Sequence, residues 1–205
     1  MSAYRDYGYE TAEEGWSFSY LMPQLRCLLG APRGAVLDLG CGNGAIARRL
    51  LHEGFDAYGV DASETGIALA NARAPGRFFL LDVSTGKLPA QLVDKQFDVV
   101  ISTEVIEHLY DPRGFFDFAR RVLSTDGEII VSTPYHGYLK NLALAATGKL
   151  DSHFTVLWDG GHIKFFSRAT LEKMLREQGF AASAFAGAGR WPYFWKSMLI
   201  KARMT

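Results

Sequence analysis

Short apolar runs alternate with longer amphipathic stretches along most of the chain. "AVLDLG" (35–40), "DAYGVD" (56–61), "RFFLLD" (77–82), "FDVVIS" (97–102) and "GEIIVST" (127–133) each predict a strand. Several are apolar almost throughout, which is the pattern of a parallel sheet covered on both faces. Between them the spacing predicts helices over 44–53, 63–73, 112–123 and 137–149. Ser63 is placed to cap "ETGIALANAR", and Gly54 and Gly127 suit loops where a helix hands over to a strand. Ser167 is expected to cap "RATLEKMLREQ", with Gly179 as its stop. The tail changes character. "FAASAFAGAG" and "YFWKSMLIKARM", joined by "RWP", are two apolar runs with no helix between them, so they must pair antiparallel or nearly so. At the other end "SFSYLMPQLRCLLG" reads as a helix preceding strand one, with Pro23 near a bend or start. Alternating strands and helices of this kind make an α/β, doubly wound architecture.

The 205 residues suit one domain with room for a substantial core. Lys plus Arg and Asp plus Glu number 22 each, so net charge is zero. That removes the long-range attraction expected of a general nucleic-acid binder, and a nucleic-acid partner is not expected. Cys27 and Cys41 have neither metal-site spacing nor a disulfide framework, so reduced thiols and a cytoplasmic setting are expected. "MSAYRDYGYE" has no apolar signal core, and no apolar run reaches the roughly 18 residues of a spanning helix.

"VLDLGCGNGAIA" (36–47) carries most of the chemistry. Gly40, Gly42 and Gly44 let the backbone turn sharply and approach a ligand closely. Gly40, Gly42 and Ala45 also fit a dinucleotide pattern, with Asp61 about 20 residues on to accept ribose hydroxyls. Asp38, two residues before the glycines, argues against a nicotinamide cofactor. Its carboxylate would repel a pyrophosphate and favour a ligand bearing an ammonium. A third acid, Asp82, ends strand three, where it could meet an adenine amino group.

"VLDLGCGNG", "GVDAS", "LLDV" and "FDVVISTEVIEH", in that order, resemble the four motifs of class I S-adenosylmethionine-dependent methyltransferases. The resemblance runs from strand one to the terminal strand. It implies a Rossmann-like, seven-stranded, mostly parallel sheet with a C-terminal antiparallel strand and helices on both faces, as a single domain over 1–205. Carried over by position, it implies that Asp38 faces the methionine end of the cofactor and that Gly40, Gly42 and Gly44 line its backbone approach. Asp61, with Ala62, would bind the ribose, and Asp82 the adenine with Val83 against the ring. Ser102 and Thr103 would close the site at strand four. The cofactor so implied is S-adenosyl-L-methionine, leaving as S-adenosyl-L-homocysteine.

"EVIEHLYDP" puts Glu104, Glu107 and His108 at i, i+3 and i+4, on one face if a helix starts there. With "STPYHGYL" and "GGHIKFFSRATLEKML" it resembles two branches of that superfamily, the O-methyltransferases of ubiquinone biosynthesis and the small-RNA terminal 2′-O-methyltransferases. The resemblance associates Glu104, Glu107 and His108 with a divalent cation such as Mg²⁺, completed in the RNA branch by a histidine matching His162. Held by carboxylates and imidazole, a cation would lower the pKa of an acceptor hydroxyl and position its oxygen. Without one, His108 would serve as general base or simply line the pocket. His153 is a second candidate beside His162, while His52 and His136 are expected in solvent, as are Arg48, Arg49, Arg120 and Arg121 on helix faces.

The stretch 134–166 interrupts the sheet after strand five and holds Tyr135, Tyr138, Phe154 and Trp158. It reads either as a lid over an aromatic or lipid-like acceptor or as a helix packed on the sheet. In residues 1–30, Tyr4, Tyr7, Tyr9 and Trp16 would form a flap over the cofactor or lie free of it. Three functions remain open: O-methylation of a small phenolic or quinol-like acceptor, RNA ribose 2′-O-methylation, and cofactor binding without turnover.

Overall fold

The structure is a computed structural model that describes Asp6 and residues 8–83, 87–154, 157–158 and 160–205. Helix α1 (Phe18–Leu29) leads into β1 (Ala35–Leu39), α2 (Ala45–His52), β2 (Asp56–Asp61), α3 (Glu64–Arg73) and β3 (Phe78–Leu80). There follow β4 (Phe97–Thr103), α4 (Pro112–Val122), β5 (Leu123–Pro134), α5 (Tyr138–Ala146), α6 (Leu150–Phe154) and α7 (Arg168–Glu177). The chain closes with β6 (Phe180–Ala188) and β7 (Ser197–Met204). The seven strands form one sheet in the order β3-β2-β1-β4-β5-β7-β6. β1, β2, β3, β4 and β5 pair in parallel, and β7 runs antiparallel to both β5 and β6.

Alternation along the strands explains the two covered faces. Leu37, Leu39, Val100, Ile129 and Val131 point to one side, where Phe115, Phe116, Phe118 and Val122 of α4 and Leu171 and Leu175 of α7 bury against them. Val36, Val99, Ile101, Ile130 and Leu199 point to the other, against α1, α2 and α3. The order reverses between β1 and β4, because β1 is followed by β2 on one side while β4 lies on the other. Open α/β sheets leave a crevice outside the carboxyl ends of the strands at such a switch point. Both motif-bearing loops, 40–44 after β1 and 104–108 after β4, emerge there.

Several local expectations change. β3 stops at Leu80, so Asp82 lies in the loop beyond the strand rather than at its end. β5 starts at Leu123, directly from the last turn of α4, and its pairing with β4 is irregular between Phe97 and Val99. Gly127 is therefore a buried strand residue and not a connecting loop. The helix expected over 137–149 ends at Ala146, and Gly148, at φ +66°, turns the chain before α6. Pro23 lies inside α1, and β7 begins only at Ser197. The helix caps hold: Ser63 accepts the Gly66 amide at 3.0 Å, and Ser167 forms a reciprocal capping box with Thr170.

Near the middle of β5, Glu128 is buried at 2% exposure. It pairs with Arg33, with Lys201 at 2.9 Å and with Arg203 at 2.9 Å. These ion pairs tie the loop before β1 to β5 and β7.

Candidate active site

The loop after β1 is shaped by backbone constraints before any ligand is considered. Gly40, at φ +84°, adopts a conformation that side chains disfavour, and a Cβ there would sit 2.5 Å from Val105 Cγ2. The Gly40 and Cys41 amides both donate to the Val60 carbonyl, at 2.8 and 3.0 Å, which fastens the loop to the end of β2. Asp61 accepts from the Gly42 amide at 2.7 Å through one oxygen and from the Ser63 amide at 2.8 Å through the other. Each of those oxygens keeps a further lone pair for a ligand hydroxyl. Gly44 stands at the left-handed entry to α2.

Asp38, at 1% exposure, lies beneath this loop, and its Oδ1 has no hydrogen-bond partner among the described residues. Burial first, and the charge of Asp61 second, push its carboxyl up to about 8, while the Ala47 amide pulls the other way. Burial also raises Asp61, against the Ser63 and Gly42 amides. Two carboxyls held this way in a dry pocket favour a cationic ligand. Asp82 and Val83 are half-buried in the loop after β3, and Ala62 is half-buried beside Asp61. The buried Ser102 hydroxyl donates to the Leu39 carbonyl at 2.7 Å and so joins β4 to β1, and Thr103 follows it half-buried at the crevice.

The N-terminal segment lies across the glycine loop. The Tyr9 amide donates to Thr65 Oγ1 at 3.0 Å, and a Cβ at Gly42 would collide with the Tyr9 hydroxyl. Asn43 donates to the carbonyls of Thr11 at 3.0 Å and Glu13 at 2.9 Å. Arg48 donates to the Ala12 carbonyl and is half-buried, contrary to the expected solvated face. Asp6 accepts from the Ser63 and Thr65 hydroxyls, at 2.5 and 2.9 Å. Trp16 is exposed, with Lys196 over its ring at 4.4 Å. Tyr4 and Tyr7 lie outside the described residues.

After β4 the expected helix face does not form. Only a single 3₁₀ turn, Ile106–His108, follows the strand, and Glu104 sits in the left-handed region at φ +55°. That conformation turns the Glu104 carboxylate back to the sheet. It accepts from Ser132 Oγ at 2.7 Å and Ser197 Oγ at 2.9 Å. Burial raises Glu104 to about 7, opposed by those two hydroxyls and by the Lys140 charge. Tyr20, beside Ser197, is pushed up to about 12 by burial.

Glu107 is completely buried, and neither carboxylate oxygen makes a hydrogen bond among the described residues. Burial, and then the Glu104 charge, raise it well above the usual carboxylate range; the Thr133 hydroxyl opposes this but makes no hydrogen bond of normal length and angle. The Glu107 carbonyl accepts from the Ile163 and Lys164 amides at 2.8 and 3.0 Å, which draws the 160–166 stretch over the crevice. His108 Nδ1 lies 2.9 Å from the Gly160 carbonyl and 3.3 Å from that of Gly161. Two acceptors at Nδ1 put the proton there and leave Nε2 with a free lone pair. His162 packs edge-on against His108, ring centres 4.9 Å apart. Burial lowers both imidazoles, His162 to about 4. One ligand atom each from Glu107, His108 and His162 lie within 4.8 Å of one another. Of the four cation ligands that the resemblance implies, Glu107, His108 and His162 come together, while Glu104 is spent on Ser132 and Ser197. His136, expected in solvent, is instead buried beside His153. His52 is exposed, as expected. Ser132, Ser197, Tyr20 and Lys140 had no signature in the sequence, because each reaches the crevice from a different element.

A parallel sheet reversing between β1 and β4, acidic residues at or just beyond three successive strand tips, and an antiparallel β7 define the class I methyltransferase architecture. A family profile described as "Methyltransferase domain" matches residues 17–183. The chain belongs to the S-adenosylmethionine-dependent methyltransferases. It is 34% identical over 158 residues to a ubiquinone biosynthesis O-methyltransferase of Azorhizobium caulinodans, covering 74% of this chain and 60% of that protein. It is 29% identical over 177 residues to the protein of the same name in Rhodopseudomonas palustris strain HaA2, covering 82% and 67%. Its match therefore spans about 60% of the length of the first of these relatives. Among solved structures, the PH0226 protein of Pyrococcus horikoshii superposes with a TM-score of 0.69 at 25% identity, covering 92% of this chain and 90% of that one. The magnesium protoporphyrin IX methyltransferase of Synechocystis PCC 6803, with bound SAH, gives 0.65 at 21%, covering 90% and 80%; at that identity the likeness is one of fold. Among the described residues no helix is long and apolar enough to cross a membrane.

Proposed function

We propose that this protein O-methylates a small hydroxylated acceptor, phenolic or quinol-like, with S-adenosylmethionine as donor, in one domain whose 134–166 stretch covers the acceptor. The observation that carries this reading is the Glu107–His108–His162 cluster, next to the glycine loop at the switch point of the sheet. The O-methyltransferase names of the relatives support the same chemistry.

The residues present fit the cofactor. The unpaired Asp38 oxygen suits the ammonium of its amino-acid end, and the bare backbone of Gly40, Gly42 and Gly44 admits it closely. The Asp61 oxygens, with Ala62, suit the ribose, and Asp82 and Val83 the adenine. Ser102 and Thr103 close the floor at β4. Bound there, the cofactor supplies an electrophilic methyl group on a sulfonium.

The chain's own part is to prepare the oxygen that attacks. His108 Nε2 is held as an acceptor by the two carbonyls on Nδ1 and can take the hydroxyl proton. The His162 ring and the 160–161 backbone fix the plane of His108, which places the oxygen for in-line approach. Glu104 acts behind this set, positioning the ends of β4, β5 and β7 through its two serines. The buried, unpaired carboxylate of Glu107 and two neutral imidazoles also fit a divalent cation, of the imidazole-accepting kind such as Zn²⁺ sooner than Mg²⁺, and it would acidify and orient the hydroxyl.

Labelled S-adenosylmethionine offered with panels of catechols, hydroquinones and short RNAs tests the reading. Label in the methyl ether of a phenolic acceptor is the expected result. Label in RNA, or in none of the hydroxylated aromatics, would overturn it.

A further inference from the structure

The outer face of α2 carries groups that the transfer chemistry does not use. Ala45, Arg48, Arg49 and His52 stand at i, i+3, i+4 and i+7, so they share one side of the helix. Ala47 and Leu50, on the opposite side, are fully buried in the core. Those four residues line a cavity of about 340 Å³ together with Ala12, Glu13 and Glu14 of the N-terminal segment and Arg73 in the last turn of α3. Ligand pockets run from about 300 to 1,000 Å³, so this one suits a single small molecule and not a polymer. The wall opposite α2 is fixed in place. Asn43 donates to the Thr11 and Glu13 carbonyls, and the Arg48 guanidinium donates to the Ala12 carbonyl.

The donors facing this cavity are not used up. Arg48 has five N–H groups, and its Nε is buried without a hydrogen-bond partner among the described residues. Buried polar atoms are paired in the large majority of cases, so such a donor beside a cavity points to a ligand. Arg73 is exposed and forms no ion pair among the described residues. Arg49 is engaged with Glu53 at 3.1 Å and lies 3.9 Å from Glu14, while Glu13 forms no ion pair among the described residues. The lining therefore sets three guanidiniums on the helical wall against two carboxylates on the N-terminal wall. A guanidinium fork matches two oxygens of a phosphate at once, whereas a carboxylate only accepts, and suits hydroxyl donors.

We propose that this cavity is a second binding site, for a small phosphorylated sugar or polyol, with the phosphate on Arg48 and Arg73 and the hydroxyls toward Glu13 and Glu14. The dimensions agree. From Ala45 to His52 the helix rises about 10 Å, which is the reach of an extended pentose phosphate. The one positive charge in excess on the lining favours an anion over a neutral sugar, and the acidic wall favours an anion that carries hydroxyls over a bare one. None of the lining residues belongs to the Glu107–His108–His162 cluster, so the site stands whether or not that cluster methylates oxygen.

Calorimetry on the whole protein tests the site, with ribose 5-phosphate, ribose and inorganic phosphate as probes. Ribose 5-phosphate is expected to bind at least about tenfold more tightly than either of the others, the scale of one charge-assisted hydrogen bond. Its affinity should fall about tenfold in Arg73→Gln and in Arg48→Gln. Arg73 is exposed at the end of its helix, so that variant keeps the fold, which unchanged binding of S-adenosylhomocysteine checks. No heat with ribose 5-phosphate at millimolar concentration would overturn the proposal. So would equal affinity for ribose 5-phosphate and inorganic phosphate, or undiminished binding in Arg73→Gln.

Discussion

Replacing Asp38 by Asn isolates the electrostatic core of the proposed cofactor site. In the free protein the Asp38 carboxyl is raised to about 8, chiefly by burial. A cationic ligand at that oxygen favours the carboxylate, so binding releases a proton below that pH. The apparent affinity for S-adenosylmethionine then scales as 1/(1 + 10^(8 − pH)). Between pH 6 and pH 8 that is a gain on the order of 50-fold, or about 2 kcal/mol at 1.36 kcal/mol per unit. The effect on stability has the opposite sign. The folded state holds this proton more tightly than the unfolded chain, so Asp38 destabilises the free protein progressively as pH rises from about 4 to about 8. Roughly four units at 1.36 kcal/mol each set an upper bound of about 5 kcal/mol. Asn, isosteric and uncharged, removes both effects. Calorimetry at pH 6, 7 and 8, in buffers of different ionisation enthalpy, should show proton release in the wild type and none in Asp38→Asn. The variant should bind more weakly at pH 8 and melt higher there without ligand. Wild-type affinity that is flat from pH 6 to 8, with the variant superimposable on it, would refute the reasoning.

Three further outcomes follow from the same geometry. Chelation, or Glu107→Gln, should lower methyl transfer at least about 100-fold if Glu107, His108 and His162 hold a cation; full turnover in chelator would leave His108 as base alone. Gly40→Ala should cost about 1–3 kcal/mol in thermal unfolding and impair cofactor binding, since its Cβ meets Val105; Gly54→Ala, at φ +89° with nothing within 4 Å, should cost only about 1 kcal/mol. Glu128→Gln should lose about 2 kcal/mol at neutral pH, measured by denaturant titration. Burial acts against the Glu128 carboxylate, but hydrogen bonds from Lys201 and Arg203 outweigh it and hold its pKa below the usual value. The wild-type advantage should therefore be full above about pH 4.5 and fade as pH falls through that lower value; an advantage that persists below it would contradict the assignment.

The strand runs, the glycine turn and the acids at the strand tips were legible because each depends on local rules. Two-residue alternation, caps such as Ser63 and Ser167, and glycines that let the backbone turn sharply are written in neighbouring residues. "EVIEH" was legible as chemistry but not as geometry. Spacing alone would place Glu104, Glu107 and His108 on one helical face, whereas the left-handed turn at Glu104 sends its carboxylate to Ser132 and Ser197, 28 and 93 residues away. His136 was expected in solvent, because nothing local shows that Phe154 and Phe165 will enclose it. Local pattern and propensity act over a few residues, so the sequence by itself determined most of the strands and helices, their order and the glycine turn after β1. Burial, long-range pairing and the electric fields they create arise only when distant segments meet. Tertiary structure alone decided which acids are spent on structure and which imidazoles remain free for chemistry.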